Sequence, residues 1–279
     1  MQTIKVSAPA KINLTLEVLD KRPDGFHNIK SIMQAISLYD YLTLSVSDNN
    51  KTEIILTGNS DEIPYDEKNL VYKATLKFLQ KTTITNKKIE IFIEKNIPVE
   101  AGLAGGSTDA VATIFALNKL FDNPLNNSDI DELCASLGSD LNFCYYGGTA
   151  LCTGRGETIH QIKTQKQSVS LIKPLGFGIS AKEAYTKFSQ MPNKTIPNNT
   201  EKIINNFDEN LLYNSLEIAV INDYEDLKYI KSNVKNSIMS GSGPTFFVLN
   251  SRVPTYLNKE KFLIIENLEF IDFGVQIVN

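Results

Sequence analysis

Strands, then helices, then mixed elements, with no regular βαβ alternation, predict an α+β fold rather than a doubly wound sheet. A length of 279 residues, 42% of them hydrophobic, is enough to bury a sizeable core and favours two modest domains over one large one. The sequence places the boundary near residue 155, which gives segments 1–155 and 156–279.

The opening stretch reads as strands. Lys5–Val18 alternates with branched residues, and Tyr41–Val46 and Glu53–Thr57 follow in the same manner. Apolar residues at helical spacing predict a helix over Leu70–Leu79, and Lys88–Ile93 is a further short β-rich run before Pro98. Glu100–Ser107 is Gly-rich and leads into Asp109–Leu120, an Ala-rich segment of strong helix propensity. Ser128-x-x-Asp131 resembles a capping box ahead of a helix that stops at Gly138, and Asp140 can open the next helical segment. Gly147–Ile159 reads as a hairpin with Gly-rich turns. Met191–Glu201 holds two prolines among Asn and Thr residues and reads as a surface loop. Gly241–Gly243 is a second Gly-rich turn, set before the apolar strand Phe246–Leu249.

Composition excludes several classes of function. A net charge of −4 supplies no long-range attraction to nucleic acid or to an anionic membrane. Charges interrupt the best apolar stretches, so none reads as a bilayer span. Met1-Gln2-Thr3-Ile4-Lys5 lacks the charged-then-apolar layout of a secretory signal. Cys134, Cys144 and Cys152 have neither zinc nor CxxC spacing and read as reduced, buried thiols. The expectation is a cytoplasmic protein with no nucleic-acid or membrane partner, its oligomeric state open between monomer and weak homodimer.

The most informative segment runs Pro98-Val99-Glu100-Ala101-Gly102-Leu103-Ala104-Gly105-Gly106-Ser107-Thr108-Asp109. Glycines let the backbone aim its N–H groups at one point and allow a bulky anion to approach closely. The helix that follows adds unsatisfied N–H groups and the positive end of its dipole. Ser107 and Thr108 offer hydroxyls to phosphate oxygens or to a bound Mg2+, so the loop suits a nucleotide triphosphate. A Gly-rich turn used only for packing is the plain alternative. There is no Walker Gly-Lys-Ser/Thr, and Asp272-Phe273-Gly274 mimics a protein-kinase motif without an upstream His-Arg-Asp, which marks it as coincidence. Lys95 precedes the loop, either to reach ATP or as a solvated lysine.

Three segments in order, Ala8-Pro9-Ala10-Lys11-Ile12-Asn13-Leu14, the Pro98–Asp109 loop and Ser240-Gly241-Ser242-Gly243-Pro244, resemble the three motifs of the GHMP kinase superfamily. The resemblance implies an N-terminal nucleotide domain of ribosomal-protein-S5-like fold, a ferredoxin-like C-terminal domain, and an active site in the cleft between them. Arg22-Pro-Asp-Gly25-Phe26-His27, Leu137-Gly-Ser-Asp140, Gly147-Gly-Thr-Ala-Leu-Cys-Thr-Gly-Arg-Gly-Glu157 and Met239–Thr245 are similar to the branch that acts on a cytidylated methylerythritol. That similarity implies transfer of the ATP γ-phosphoryl, with Mg2+, to the 2-hydroxyl of 4-diphosphocytidyl-2-C-methyl-D-erythritol, on the methylerythritol phosphate route to isoprenoid precursors.

The resemblance also implies roles for single residues. Asp140 would be the catalytic base, against the plain reading of a helix N-cap. Lys11 would stand beside it and oppose developing negative charge, against a solvent-facing lysine. Asn13, on the same strand face as Lys11, would orient substrate. His27 would bond the cytosine edge, with Phe26 and Tyr185 stacking on the base, against simple core packing. Ser240 and Gly241 would belong to a turn whose amides face phosphates.

The pattern has departures. Ala104 replaces a glycine common in the family's loop, which strains the backbone if that position needs positive φ. Phe26 stands where Tyr is more usual, Ser180 where Thr is frequent, and Asn214-Ser215-Leu216-Glu217 where Asn-Asp-Leu-Glu is common. The competing functions are a kinase of the same superfamily acting on homoserine or mevalonate-type acceptors, and a catalytically dead sensor. Gly25-Phe26-His27 and Gly154–Glu157 argue against the first, the presence of Lys11 and Asp140 against the second.

Overall fold

A computed structural model describes residues 1–192 and 194–278. In chain order the elements are β1 (Gln2–Lys21), β2 (His27–Asp48), β3 (Glu53–Gly58), α1 (Leu70–Thr82), β4 (Lys87–Glu94), α2 (Gly105–Leu120), α3 (Asn127–Leu137), α4 (Leu141–Tyr146), β5 (Thr149–Thr153) and β6 (Thr158–Ile162). They continue as β7 (Ser168–Pro174), α5 (Ala181–Gln190), α6 (Asn199–Asn205), β8 (Tyr213–Asn214), α7 (Ser215–Val220), α8 (Glu225–Asn233), β9 (Ile238–Met239), β10 (Phe246–Leu249), β11 (Phe262–Glu269) and β12 (Gln276–Ile277). The class is α+β, as expected. One sheet of eight strands runs β12-β1-β2-β4-β3, with β8 added to β1 and the β5–β6 hairpin added to β2. The second sheet has four strands in the order β11-β7-β10-β9.

Residue 155 falls in the turn of the β5–β6 hairpin, whose two strands belong to the first sheet; β7 opens the second. β3 and β4 pair in parallel, so α1 serves as their crossover. β1 and β2 exceed their expected lengths: β1 is buried on both faces over Val6–Val18, the stretch that reads as strand, while its largely exposed ends, Gln2–Lys5 and Leu19–Lys21, carry no apolar pattern. Val6 and Ala8 join the core under α1 and α2, whereas Ala10, Ile12 and Leu14 pack with Val169, Leu171 and Phe247 of the second sheet. A register shift between Pro9 and Ala10 separates the two sets. Lys11 and Asn13 alternate with the second set and so point to the opposite side, toward the phosphate loop.

Two local expectations are corrected. The cap of α3 is Asn126, not Ser128: its side chain accepts from Asp129 N while Asp129 reaches back to the Asn126 N–H. Asn118 fixes that start by bonding both the N–H and the C=O of Leu125. The stretch 191–201 contains residue 193, outside the described residues, and its end is helical. α6 begins at Asn199, where the Thr200 N–H donates to buried Glu17 at 2.9 Å.

Asp272–Gly274 is part of the scaffold and does not line the cleft described below. The Gly148 N–H approaches Phe273 O at 3.4 Å, and a Cβ on Gly147 (φ +62°) would fall 2.1 Å from the same carbonyl oxygen. Gly147→Ala is therefore expected to lower the unfolding free energy by more than about 2 kcal/mol. Gly106→Ala, whose Cβ would meet nothing within 4 Å, is expected to stay within about 0.5 kcal/mol of the parent in the same urea titration.

Candidate active site

The phosphate loop takes its shape from three left-handed residues at alternate positions, Glu100 (φ 50°), Gly102 (φ 74°) and Ala104 (φ 60°). Such alternation turns N–H groups into a concavity. Gly102 admits no side chain, since a Cβ there would lie 2.1 Å from Ser240 O. Ala104 occupies the N-cap of α2 in the left-handed region, so the position does need positive φ and the alanine strains it. Beyond it, the first turn of α2 presents Gly105, Gly106 and Ser107 to a cleft of about 1210 Å³.

The loop's approach is fixed from below by buried charge. Asp40, fully buried, accepts from Asn96 N at 2.6 Å and Ile97 N at 2.8 Å and pairs with Lys95. Lys95 also reaches Asp109 Oδ2 at 3.0 Å. Burial works against the Lys95 charge, but Asp109 and Asp40 outweigh it and raise the ammonium above its ordinary value. Burial pushes the Asp109 carboxyl well above the usual carboxylate range, more than Lys95 offsets. Lys95 thus lines the cleft with its ammonium already held by two carboxylates.

Lys11 lies on the cleft floor with 4% of its side chain exposed. Its Nζ donates to Asn13 Oδ1 at 2.8 Å and Gly102 O at 3.2 Å, and stands 3.4 Å from Asp140 Oδ2. Asn13 is held in turn by donating to Ser31 Oγ at 2.9 Å. Asp140 occupies the N-cap position of α4, but its side chain caps nothing, which leaves the carboxylate to Lys11.

His27, Tyr185 and Phe26 line the same cleft. The His27 ring stacks on Tyr185 at 5.5 Å and 25°, and its Nε2 is 3.0 Å from Ser189 Oγ. The single Ser189 hydroxyl proton is given to Tyr185 O at 2.8 Å. Nε2 is then the donor to Ser189, and neutral His27 keeps a lone pair on Nδ1. Phe26, 50% exposed, sits at the end of a turn closed by Arg22 N to Phe26 O at 2.7 Å.

Of the expected site residues, Asn13, Lys95, Pro98, Val99, Ala101 and Gly241 also line the cleft. Leu103, Thr108 and Ser240 do not: Leu103 packs in the core, Thr108 is buried under the first turn of α2, and Ser240 gives its hydroxyl to Gly102 O at 3.0 Å. Two amides of the Ser240–Gly243 turn are used internally, Ser240 N to Thr245 O and Gly243 N to Ser240 O. Sequence reasoning passed over Asn214 as a site residue. Its Nδ2 donates to Met239 O at 2.6 Å and Gly241 O at 2.8 Å, which fixes this turn.

With this geometry in place, the comparisons are specific. The family model for the GHMP kinases N terminal domain matches residues 69–148. A 4-diphosphocytidyl-2-C-methyl-D-erythritol kinase of Clostridium tetani (strain Massachusetts / E88) is 40% identical over 257 residues, 88% of this chain and 90% of that protein. This chain belongs to the 4-diphosphocytidyl-2-C-methyl-D-erythritol kinase family. The relative of that name from Bacillus cereus (strain B4264) is 41% identical over 88% of this chain and 87% of its own length. The crystal structure of a 4-(cytidine 5'-diphospho)-2C-methyl-D-erythritol kinase superposes with a TM-score of 0.78 at 25% identity, over 96% of this chain and 99% of that one. Homoserine kinase from Cytophaga hutchinsonii shares the fold, with a TM-score of 0.76 at 18% identity over 100% of this chain and 98% of that one.

Two outcomes follow from the site's physics. Ala104→Gly is expected to raise the unfolding free energy by about 0.5–1 kcal/mol, the relieved left-handed strain less the entropy of glycine, as read by urea denaturation. Burial first, then Lys21 and Lys194, lowers the His27 imidazole below its ordinary 6.5. The unfolded chain therefore protonates before the folded one, and the stability that neutral His27 contributes is lost as pH falls below that value. The stability difference between wild type and His27→Gln is expected to shrink between about pH 7 and pH 5; a pH-independent difference would contradict it.

Proposed function

We propose that this chain phosphorylates the 2-hydroxyl of 4-diphosphocytidyl-2-C-methyl-D-erythritol with ATP, on the methylerythritol phosphate route to isoprenoid precursors. The observation that carries this reading is the Lys11–Asp140 pair, set in one cleft with an amide-rich phosphate loop and the His27–Tyr185–Phe26 cluster. The family relatives support the same acceptor by name.

The triphosphate lies against the first turn of α2, where free N–H groups and the helix dipole favour negative charge. Cytosine is read by His27 Nδ1, which accepts from the base, while the aromatic rings stack on it. The acceptor's 2-hydroxyl meets Asp140. As its oxygen bonds the γ-phosphorus and the bond to the β-phosphate bridging oxygen breaks, Asp140 accepts the hydroxyl proton and ADP leaves. Lys11, anchored by Asn13 and Gly102, opposes the negative charge that develops on the transferring group.

Mg2+ suits the oxygen donors present. Ser107 lines the cleft in the first turn of α2, and among the described residues no group of three His, Cys, Asp or Glu forms a cage. Ser107 would hold the ion together with the nucleotide's own oxygens, and when bound it neutralises phosphate charge. Among the described residues no helix is long and apolar enough to cross a membrane. With three buried free thiols and a net charge of −4, the reading is of a cytoplasmic enzyme of small molecules, monomeric or weakly dimeric, without nucleic-acid or membrane partners.

Purified protein with ATP and Mg2+ is expected to release ADP with the cytidylated acceptor and not with homoserine or mevalonate. Asp140→Asn is expected to lower kcat by about 10²–10⁴-fold with little change in acceptor KM. Turnover of homoserine or mevalonate instead would move the substrate, and undiminished Asp140→Asn activity would remove the base.

A further inference from the structure

The Phe26 ring carries no polar group that could tether it, and half of the residue is exposed. Its backbone is fixed, because Phe26 N also donates to Asp24 Oδ1 at 3.1 Å. Its ring needs a separate restraint. The Arg155 guanidinium lies over that ring, 5.0 Å from the centroid. Arg155 is itself held: its backbone N–H donates to Glu157 Oε2 at 2.6 Å, and its Nη2 donates to Ala135 O at 3.3 Å. The same turn abuts the neighbour of Asp140, since a Cβ on Gly156 would lie 3.3 Å from Ser139 O. Arg155, Phe26 and Asp140 all line the cleft.

We propose that Arg155 is a positioning residue for the acceptor's base, holding Phe26 by a cation–π contact so that cytosine meets a ring already in place. The inference rests on reading the Phe26–His27 end of the cleft as the cytidine pocket. A ring with a guanidinium over one face takes a base on the other. Holding it beforehand removes the ordering cost that binding would otherwise meet. The effect belongs to acceptor affinity and leaves phosphoryl transfer alone.

The test is calorimetric titration of cytidine and of CDP into wild type, Arg155→Met, Phe26→Ala and the double variant, with kinetics beside it. Arg155→Met is expected to weaken cytidine and CDP by the same factor, about five- to tenfold, and to raise the acceptor KM alone. In the Phe26→Ala background the substitution is expected to change nothing further. Arg155→Lys, which keeps the cation, is expected to recover part of the loss and carries the same comparison if Arg155→Met does not fold. A loss confined to CDP would make Arg155 a phosphate contact and overturn the proposal. So would an equal loss in the Phe26→Ala background, or unchanged cytidine binding. Wild type that binds no cytidine would overturn the pocket itself and this role with it.

Discussion

The Gly102 carbonyl accepts from the Lys11 ammonium at 3.2 Å and from the Ser240 hydroxyl at 3.0 Å. One backbone oxygen thereby ties together the first strand, the phosphate loop and the turn before β10. The residue that offers it has to be glycine, because the Ser240 backbone occupies the space where a Cβ would go. A charged donor at a carbonyl makes a stronger bond than a neutral one. The same ammonium that is anchored on Gly102 O stands 3.4 Å from Asp140 Oδ2. Asn214 completes the arrangement from behind by holding the turn that delivers Ser240.

Two clusters of buried charge surround the loop, and neither is there for stability alone. Removing an ammonium from water costs several kcal/mol unless its partners satisfy it. Lys95 meets this cost with two carboxylates, and one of them also caps the Asn96 and Ile97 amides, so the same cluster orients the chain entering the loop. Lys11 meets it with a carbonyl, an amide oxygen and a carboxylate that remains 30% exposed on its side chain. The cluster that is closed on itself supports the backbone. The one left partly open faces the chemistry.

What could be read from the sequence follows the range of the interaction responsible. β10 is a short apolar run between turn residues and was legible over its whole length. β1 was legible only in its apolar middle, since its largely exposed ends carry no pattern that marks them as strand. At the start of α3 two overlapping x-x-Asp registers were available, and Asn118, in the preceding helix, selects the earlier one. Lys11, Asp140, His27 and Tyr185 became candidates through the resemblance, and the fold brings them to one cleft. The motif alone could not sort the loop by direction, so Leu103 and Thr108 looked equivalent to Gly105 and Ser107 although they face the core. Asp40 carries no local signal, because Lys95 lies 55 residues away; Asn214 shows locally only as the N-cap of α7, and its hold on the Met239–Gly241 turn, 25 residues on, does not show in the sequence around it.

The first sheet joins segments from nearly the whole chain: Val6 pairs with Ile277, and Leu16 with Asn214. The segment around Phe273 also packs onto the turn that leads out of α4. During synthesis, the first motif strand and the phosphate loop are therefore translated long before β8 and β12 can complete the sheet that supports them. β1 can pair with β2 as soon as both are made, but its other edge must wait for β8 and β12, and closing such distant contacts is entropically slow. The free edge of β1 is thus an open strand edge in the nascent chain, closed only when the last segments arrive.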